Sequence, residues 1–418
     1  MGVCLALGAV AHASANAQSA DTTPPPFALA LPKAGEAPWL PLLRLRAAET
    51  RYRHSSQWWA PYAEFRSYAE ATMGNVRGAL LFNDAQDTTV ANSAAVPGLG
   101  RGVHAAGALD AIVTAADSAR IVMVNERHDA TADRVLTLEL LTALRAKGYH
   151  YFAAEMLERT DTGLSARGYP IAGTAVPYTD EPVMGEILRD ALRLGYKIVP
   201  YESTEAEDTS GTGMTGQQRR DRGEAQNLAA IFGHDSAAKV LVHAGYAHIW
   251  ERGDSTFTPM AYYFRELSGI NPVTVDQTTL SERGSPRYEH AVYRAAIASG
   301  LLRDRPIILL DSAGRPINPV GHDVDFDVLS PRTTFDHGRP KWMVLGGRRH
   351  ATTLKVPECA RRICFVEARI ATEPNTALPV DRAEVDSATT VVLFLPPGRQ
   401  IRILIGDESG ATLRTARN

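Results

Sequence analysis

Five ionisable side chains stand where the chain's apolar runs give out or where a polar helix faces them. Glu126 and His128 follow Ile121–Val124, Glu155 follows Tyr151–Ala154, and His248 comes soon after Val240–His243. Arg220 opens a polar helical face between the last two. A histidine titrates near neutrality and can deprotonate water. A carboxylate beside it orients the ring and stabilises its charged form. An arginine can face a developing oxyanion. Glu126 and His128 are two residues apart, so an extended chain turns them to the same side. Two histidines and two carboxylates (Glu126, His128, Glu155, His248) also form a plausible divalent-metal set.

The elements that must position these groups alternate in type. Ile121–Val124 is a short apolar run of the kind that makes a buried strand. Asp129 or Thr131 can cap the helix that follows, Asp133 sits in its first turn, and Gly148 stops it. Tyr151–Ala154 is the next strand. A helix at 183–194 leads to a strand at 196–201 ending on Glu202, and a helix at 217–232 leads to the strand 239–243. Arg220, Glu224 and Asn227 share one face of that second helix by four- and seven-residue spacing. Pro259 to Leu267 is a further helix, and Pro272–Val275 a strand ending on Asp276. A helix is also expected at 104–116. This alternation predicts an α/β fold with a mostly parallel sheet covered by helices on both faces. Ligands bind such sheets at the carboxyl ends of the strands. His243 lies inside a strand and reads as structural.

The flanks differ. Residues 1–17 carry an apolar stretch and Ala15-Asn-Ala17, which fit an export signal with a late start, so a periplasmic or secreted protein is expected. Residues 18–103 read as a linker and a helical segment. Trp58, Trp59, Tyr62, Phe65 and Tyr68 form a stripe there that reads as core packing or a lid. Residues 104–330 form the α/β core carrying the site. Residues 331–418 form a smaller β-rich domain, with strands expected at 341–345, 352–356, 363–370, 390–395 and 400–405, and read as separable. At 418 residues the chain is long enough for two or three domains, and a formal charge of -3 gives no electrostatic case for nucleic acid. After residue 20 nothing is apolar enough to span a membrane.

From about 104 to 277 the motifs are Asn125-Glu-Arg-His128, Glu155, Arg220-Asp221 with Asn227, Gly245-Tyr-Ala-His248 and Pro259-Met260. In this order they resemble the superfamily that joins erythromycin esterases, haem-binding iron-regulated lipoproteins and Wnt-cleaving metalloproteases. The resemblance covers under half of the chain. It implies a hydrolase cleaving an ester or amide, metal-assisted or not, with Tyr246, Asn227 and Glu202 binding a small-molecule or peptide substrate. In one branch it implies a haem or iron carrier instead, with Tyr246 or His248 as axial ligand. Asn125 replaces the motif glycine and is expected to keep a left-handed turn there.

Cys359 and Cys364 are the cysteines left after the export segment, and a turn through Ala-Arg-Arg-Ile can bring them within bonding distance. Protein from an oxidising host, unfolded without reductant, should therefore titrate no free thiol at these positions. Two reactive thiols would remove the disulfide.

Overall fold

The computed structural model describes residues 23–86, 99–100, 102–203, 214–253, 257–321 and 323–417. The expected export segment lies outside these residues. Two strands, β1 (His104–Gly107) and β2 (Ile121–Glu126), flank the helix Ala108–Ala115. The alternation continues through β3 (Tyr151–Ala154), β4 (Lys197–Pro200), β5 (Val240–Gly245) and β6 (Val273–Asp276) to β7 (Ile307–Leu310) and β8 (Phe326–Asp327). The main sheet is six-stranded in the order β4-β3-β5-β2-β6-β8, and every pairing in it is parallel.

Period-two burial explains why this sheet is covered twice. Val122, Val124, Phe152 and Leu241 pack on one face with the helices Asp133–Arg145 and Pro182–Arg193. Ile121, Met123, Ala153, Val240 and Val242 pack on the other with the helices Gly216–His234 and Met260–Ser268. Successive residues of one strand thus serve two cores, as a strand buried on both sides must.

The order of strands matters for function. The chain leaves β2, skips a place to lay down β3, and returns to insert β5 between them. Register then sets Glu126 opposite Gly245 and Ala154 opposite His243. Three strand ends from distant parts of the chain become neighbours about 5 Å apart.

Several local expectations change. Residues 104–107, expected as helix, form β1 and pair antiparallel with β7, because their backbone completes a two-stranded ladder. Neither Asp129 nor Thr131 caps the Asp133–Arg145 helix, whose N-cap is Ala132; Asp133 instead accepts the Arg127 amide at 3.1 Å. Asn125 has no left-handed backbone: it is a buried residue within β2, and glycine's freedom is not needed there. Residues 341–345, expected as strand, lie in a 3-10 segment.

The β-rich end contains a pair, β11 (His350–Lys355) with β14 (Thr390–Leu395), and a four-stranded antiparallel sheet. That sheet runs β13 (Asp381–Asp386), β12 (Ile363–Ile370), β15 (Ile401–Asp407), β16 (Thr412–Arg417). Two small strands, β9 (Phe335–Asp336) and β10 (Arg339–Pro340), precede them. Cys359 and Cys364 are joined, with Cα atoms 5.6 Å apart.

This end is fastened both to the N-terminal helices and to the α/β core. Trp39 stacks on Phe365 at 5.1 Å, and its indole N–H donates to the Asp407 carbonyl. Arg46 bridges Glu70 and Glu384. Arg382 donates to the carbonyls of Thr72 and Asp180 and to Glu367. Arg349 reaches Glu186 and the Pro182 carbonyl. With so many buried charges shared, the reading of the β-rich end as separable gives way. A chain ending at Ser330 should lose its cooperative melt or unfold at least ~10 °C lower, since leaving several buried partners unpaired costs a few kcal/mol each. A truncated protein melting with the full chain would contradict this.

Candidate active site

Glu126 ends β2 with no solvent exposure, and its surroundings are built for a charge. Arg134, also fully buried, donates Nε to Oε2 at 2.6 Å and Nη2 to Oε1 at 2.7 Å. His243 Nε2 lies 2.8 Å from Oε2, and His128 Nδ1 3.2 Å from Oε1. Burial alone would push the Glu126 carboxyl up, but Arg134 and His243 outweigh it and hold it well below the usual range. Arg134 also donates Nη1 to Glu181 at 2.8 Å. His243 is anchored at its other nitrogen by Thr137 at 2.9 Å.

With Nδ1 engaged by a carboxylate, His128 has Nε2 left for chemistry. The ring lies among three tyrosines: Tyr178 at 4.3 Å between centroids, Tyr246 at 4.9 Å and Tyr68 at 5.7 Å. Beneath it is Gly245. A Cβ at that position would stand 2.5 Å from His128 Cε1, 2.8 Å from Nε2 and 3.3 Å from Glu155 Oε2. Gly245 is present for close approach, since its φ of -88 is open to any residue. Tyr246 next to it does carry a positive φ, 36°, and Asn125 Nδ2 holds its carbonyl at 2.6 Å. Asn125 thus serves the site through hydrogen bonds.

The second half of the site gathers around Arg220. Its guanidinium donates to Glu155 Oε1 at 2.5 Å and to both oxygens of Glu202 at 2.8 and 2.7 Å. Glu155 Oε2 accepts the Gly245 amide at 2.5 Å. His248 Nδ1 lies 2.7 Å from Asp221 Oδ1, and its Nε2 lies 3.1 Å from Arg220 Nη1 and 3.6 Å from Glu155 Oε1. Burial works against charge on His248, yet Glu155 and Asp221 outweigh it and raise its pKa above the ordinary histidine value. Glu155 moves the other way: burial would raise it, but His248 and Arg220 keep it ionised.

Glu224 is the exception in this cluster. Neither of its oxygens accepts a hydrogen bond of good geometry, although Arg220 Nη2 lies 3.0 Å away and His248 Nδ1 3.5 Å. Burial pushes its carboxyl well up. One acid held ionised beside one held neutral is the arrangement that divides acid and base roles in hydrolytic sites.

The structure therefore brings Glu126, His128, Glu155, Arg220 and His248 to one edge of the sheet. Glu202 joins them through Arg220. Asn227 stands behind: its amide donates to the Tyr201 and Glu202 carbonyls and supports that strand end. The hydroxyls of Tyr246 and Tyr68 lie 3.4 Å apart. The four-residue metal set does not close up as a group, because Arg134 and His243 occupy Glu126. Among the described residues the ligand atoms near enough to share an ion are those of Asp221, Glu224 and His248, and those of Glu155, Glu202 and Glu224. Arg220 already supplies positive charge to the second group.

Sequence reasoning missed Arg134, Glu181, Tyr68 and Tyr178 as parts of the site. A lone Asp-Arg pair at the start of the apolar Asp133–Arg145 helix was the available signal for Arg134. Tyr68 showed only as part of the aromatic stripe read as core packing or a lid, and Tyr178 gave none, since each belongs to a segment far away in the chain.

No protein-family model matches the sequence, and no curated protein does. Similar solved structures include the type III effector HopBA1, at 16% identity and TM-score 0.30, covering 43% of this chain and 86% of that one. RRSP, a MARTX toxin effector domain from Vibrio vulnificus CMCP6, is similar at 14% identity and TM-score 0.30, covering 56% of this chain and 45% of that one. A structure described as bacterial protein toxins matches at 14% identity and TM-score 0.29, covering 56% and 54%. This chain thus spans about half the length of the latter two. Likenesses this weak carry no inference about activity.

Two substitutions probe the geometry. Gly245→Ala should displace the His128 ring by about an ångström and lower any His128-dependent rate ~100-fold. An unchanged rate with a folded protein would mean that His128 is not held by this contact. Glu224→Gln should leave the melting temperature at pH 8 unchanged or higher, because a neutral amide replaces an acid that resists ionisation there. Glu155→Gln should lower it, since Arg220 then loses an ionised partner.

Proposed function

We propose that this protein is a hydrolase of esters or amides in which His128 activates water. The observation that carries the reading is the His128–Glu126 contact, with Glu126 itself fixed by Arg134 and His243. A carboxylate so restrained holds Nδ1–H toward itself and leaves Nε2 as the proton acceptor, the logic of a buried acid behind a catalytic histidine. Nε2 lies over Gly245, on the side where Glu155 and His248 gather. His248, favoured as imidazolium by Glu155 and Asp221, is placed to return a proton to the leaving group. Arg220 balances the three carboxylates around it and positions Glu155, so its role is electrostatic organisation of the pocket.

Asp221, Glu224 and His248 are the residues that would hold a divalent ion, where it would polarise water or a carbonyl. The haem-carrier reading has less to support it, since charged side chains crowd His248: Asp221 at 2.7 Å, Arg220 at 3.1 Å and Glu224 at 3.5 Å. Export fits the Cys359–Cys364 bond, because disulfides persist in oxidising compartments.

The test is a panel of activated esters and acyl-amides with the full chain. His128→Ala should lower kcat/KM by ~100- to 10,000-fold, the range for a general base, with little change in melting temperature. Glu126→Gln should lose activity and also stability, because it leaves the buried Arg134 with a single carboxylate partner, Glu181. Full activity in His128→Ala would end the proposal.

The pH profile offers an independent check. If the His248 imidazolium is the acid, kcat/KM falls on the alkaline side as that proton leaves, at a pH above the ~6.5 of an ordinary histidine. Asp221→Asn should move this limb to lower pH. The same raised pKa stabilises the fold below about pH 6.5, and that stabilisation is lost as pH rises through the shifted value. A limb unmoved by Asp221→Asn would assign the acid elsewhere.

A further inference from the structure

Against Tyr68 and Tyr178, the two tyrosines that also pack on His128, lies a cavity of about 110 Å³ that the mechanism does not use. Leu42, Phe65, Ala69 and Met73 line it from the N-terminal helices, and Tyr68 and Tyr178 complete that wall. These two tyrosines also pack on His128, at 5.7 and 4.3 Å between ring centroids, and on each other at 5.4 Å. The same two rings therefore belong to the cavity and to the proposed general base.

The two sides differ sharply in chemistry. Around His248 the site is filled with paired charges, which give no purchase to an apolar group. Around Leu42 and Phe65 the wall is largely hydrocarbon, with Asp180 and Arg382 among its polar members. Arg382 is spent on the Thr72 and Asp180 carbonyls and on Glu367. Burial pushes the Asp180 carboxyl up to about 7, so it is only part-ionised near neutrality. For scale, an apolar cavity of about 150 Å³ stays dry and takes up benzene.

We infer that this cavity is the specificity pocket of the proposed hydrolase, taking a benzene-sized apolar group of the substrate. The inference rests on the hydrolase reading for the word substrate, and on the cavity alone for the ligand. An acid component carrying one aromatic ring, such as a phenylacetyl group, would seat its ring between Phe65 and Tyr178 and present its carbonyl toward His128. Simple acetyl esters would leave the cavity empty and gain nothing from it.

Binding and turnover are measured separately. Fluorine NMR of 4-fluorotoluene with the full-length His128→Ala protein reads occupancy without chemistry. Saturable binding is expected, lost in the double variant that adds Ala69→Phe, with Ala69→Leu as the milder filling should the phenylalanine prevent folding. Absence of saturable binding to the unfilled protein overturns the pocket whatever the enzyme does. With His128 present, the ratio of kcat/KM for phenylacetyl over acetyl esters should fall at least tenfold on filling Ala69. Turnover with an unchanged ratio would also overturn it. Probe binding that Ala69→Phe removes, with no ester or amide cleaved by any form, keeps the cavity as a ligand site and ends the hydrolase reading instead.

Discussion

A single buried guanidinium sets the geometry of the whole edge. Arg134 holds Glu126 with two N–H groups and Glu181 with a third, and all three side chains are out of water. Glu181 in turn accepts the amides of Val183 and Met184, so it caps the Pro182–Arg193 helix. The turn just before Glu181 carries Tyr178. One cation thereby fixes the end of β2, the start of the next-but-one helix and the ring against His128. Burying such a cluster is expensive unless every member is paired. Here the pairing is what makes strand end, helix start and aromatic wall move as one body.

The two halves of the site treat charge differently. Around Arg134 there are two carboxylates, Glu126 and Glu181, one guanidinium and two imidazoles, and Glu126 is firmly ionised. Around Arg220 four carboxylates share one guanidinium and one imidazole, so they cannot all carry charge cheaply. The cluster resolves this by division: Glu155, hydrogen-bonded to Arg220 and the Gly245 amide, keeps its charge, while Glu224, with no good donor, keeps its proton. Glu155 is the nearer to Arg220, 2.5 against 3.0 Å, and has His248 beside it, whereas burial and three neighbouring carboxylates push Glu224 the other way.

Much of this frame was legible in the sequence. Tyr151–Ala154 and Ile363–Ile370 match their apolar runs residue for residue, because burial on a strand leaves the same mark whatever covers it. The placing of Glu126, Glu155 and His248 followed from parallel topology alone. What failed did so where tertiary partners override local pattern. Residues 104–107 are alanine-rich yet pair with β7, and the Asp-Arg-Ala-Glu-Val-Asp of β13 looks like a loop until its charges meet Arg339 and Arg46. Asn125 looked like a turn residue because it stands where the resembled motif has glycine; its amide instead serves the backbone at the ends of the adjacent strands β5 and β6. Tyr68 and Tyr178 were invisible as parts of the site because no spacing rule reaches across 110 residues.

The clasp between Trp39 and Phe365 has a consequence for how the chain is made. These rings are 326 residues apart (365 minus 39), yet each is part of the other's core. At roughly 5–20 residues per second of synthesis, the first helices wait on the order of 15–65 s for the strands that cover them. During that interval Trp39, Leu42 and Met73 show apolar surface to whatever is near. The clasp therefore closes long after the helices it covers have been made, and their apolar faces stay open until it does.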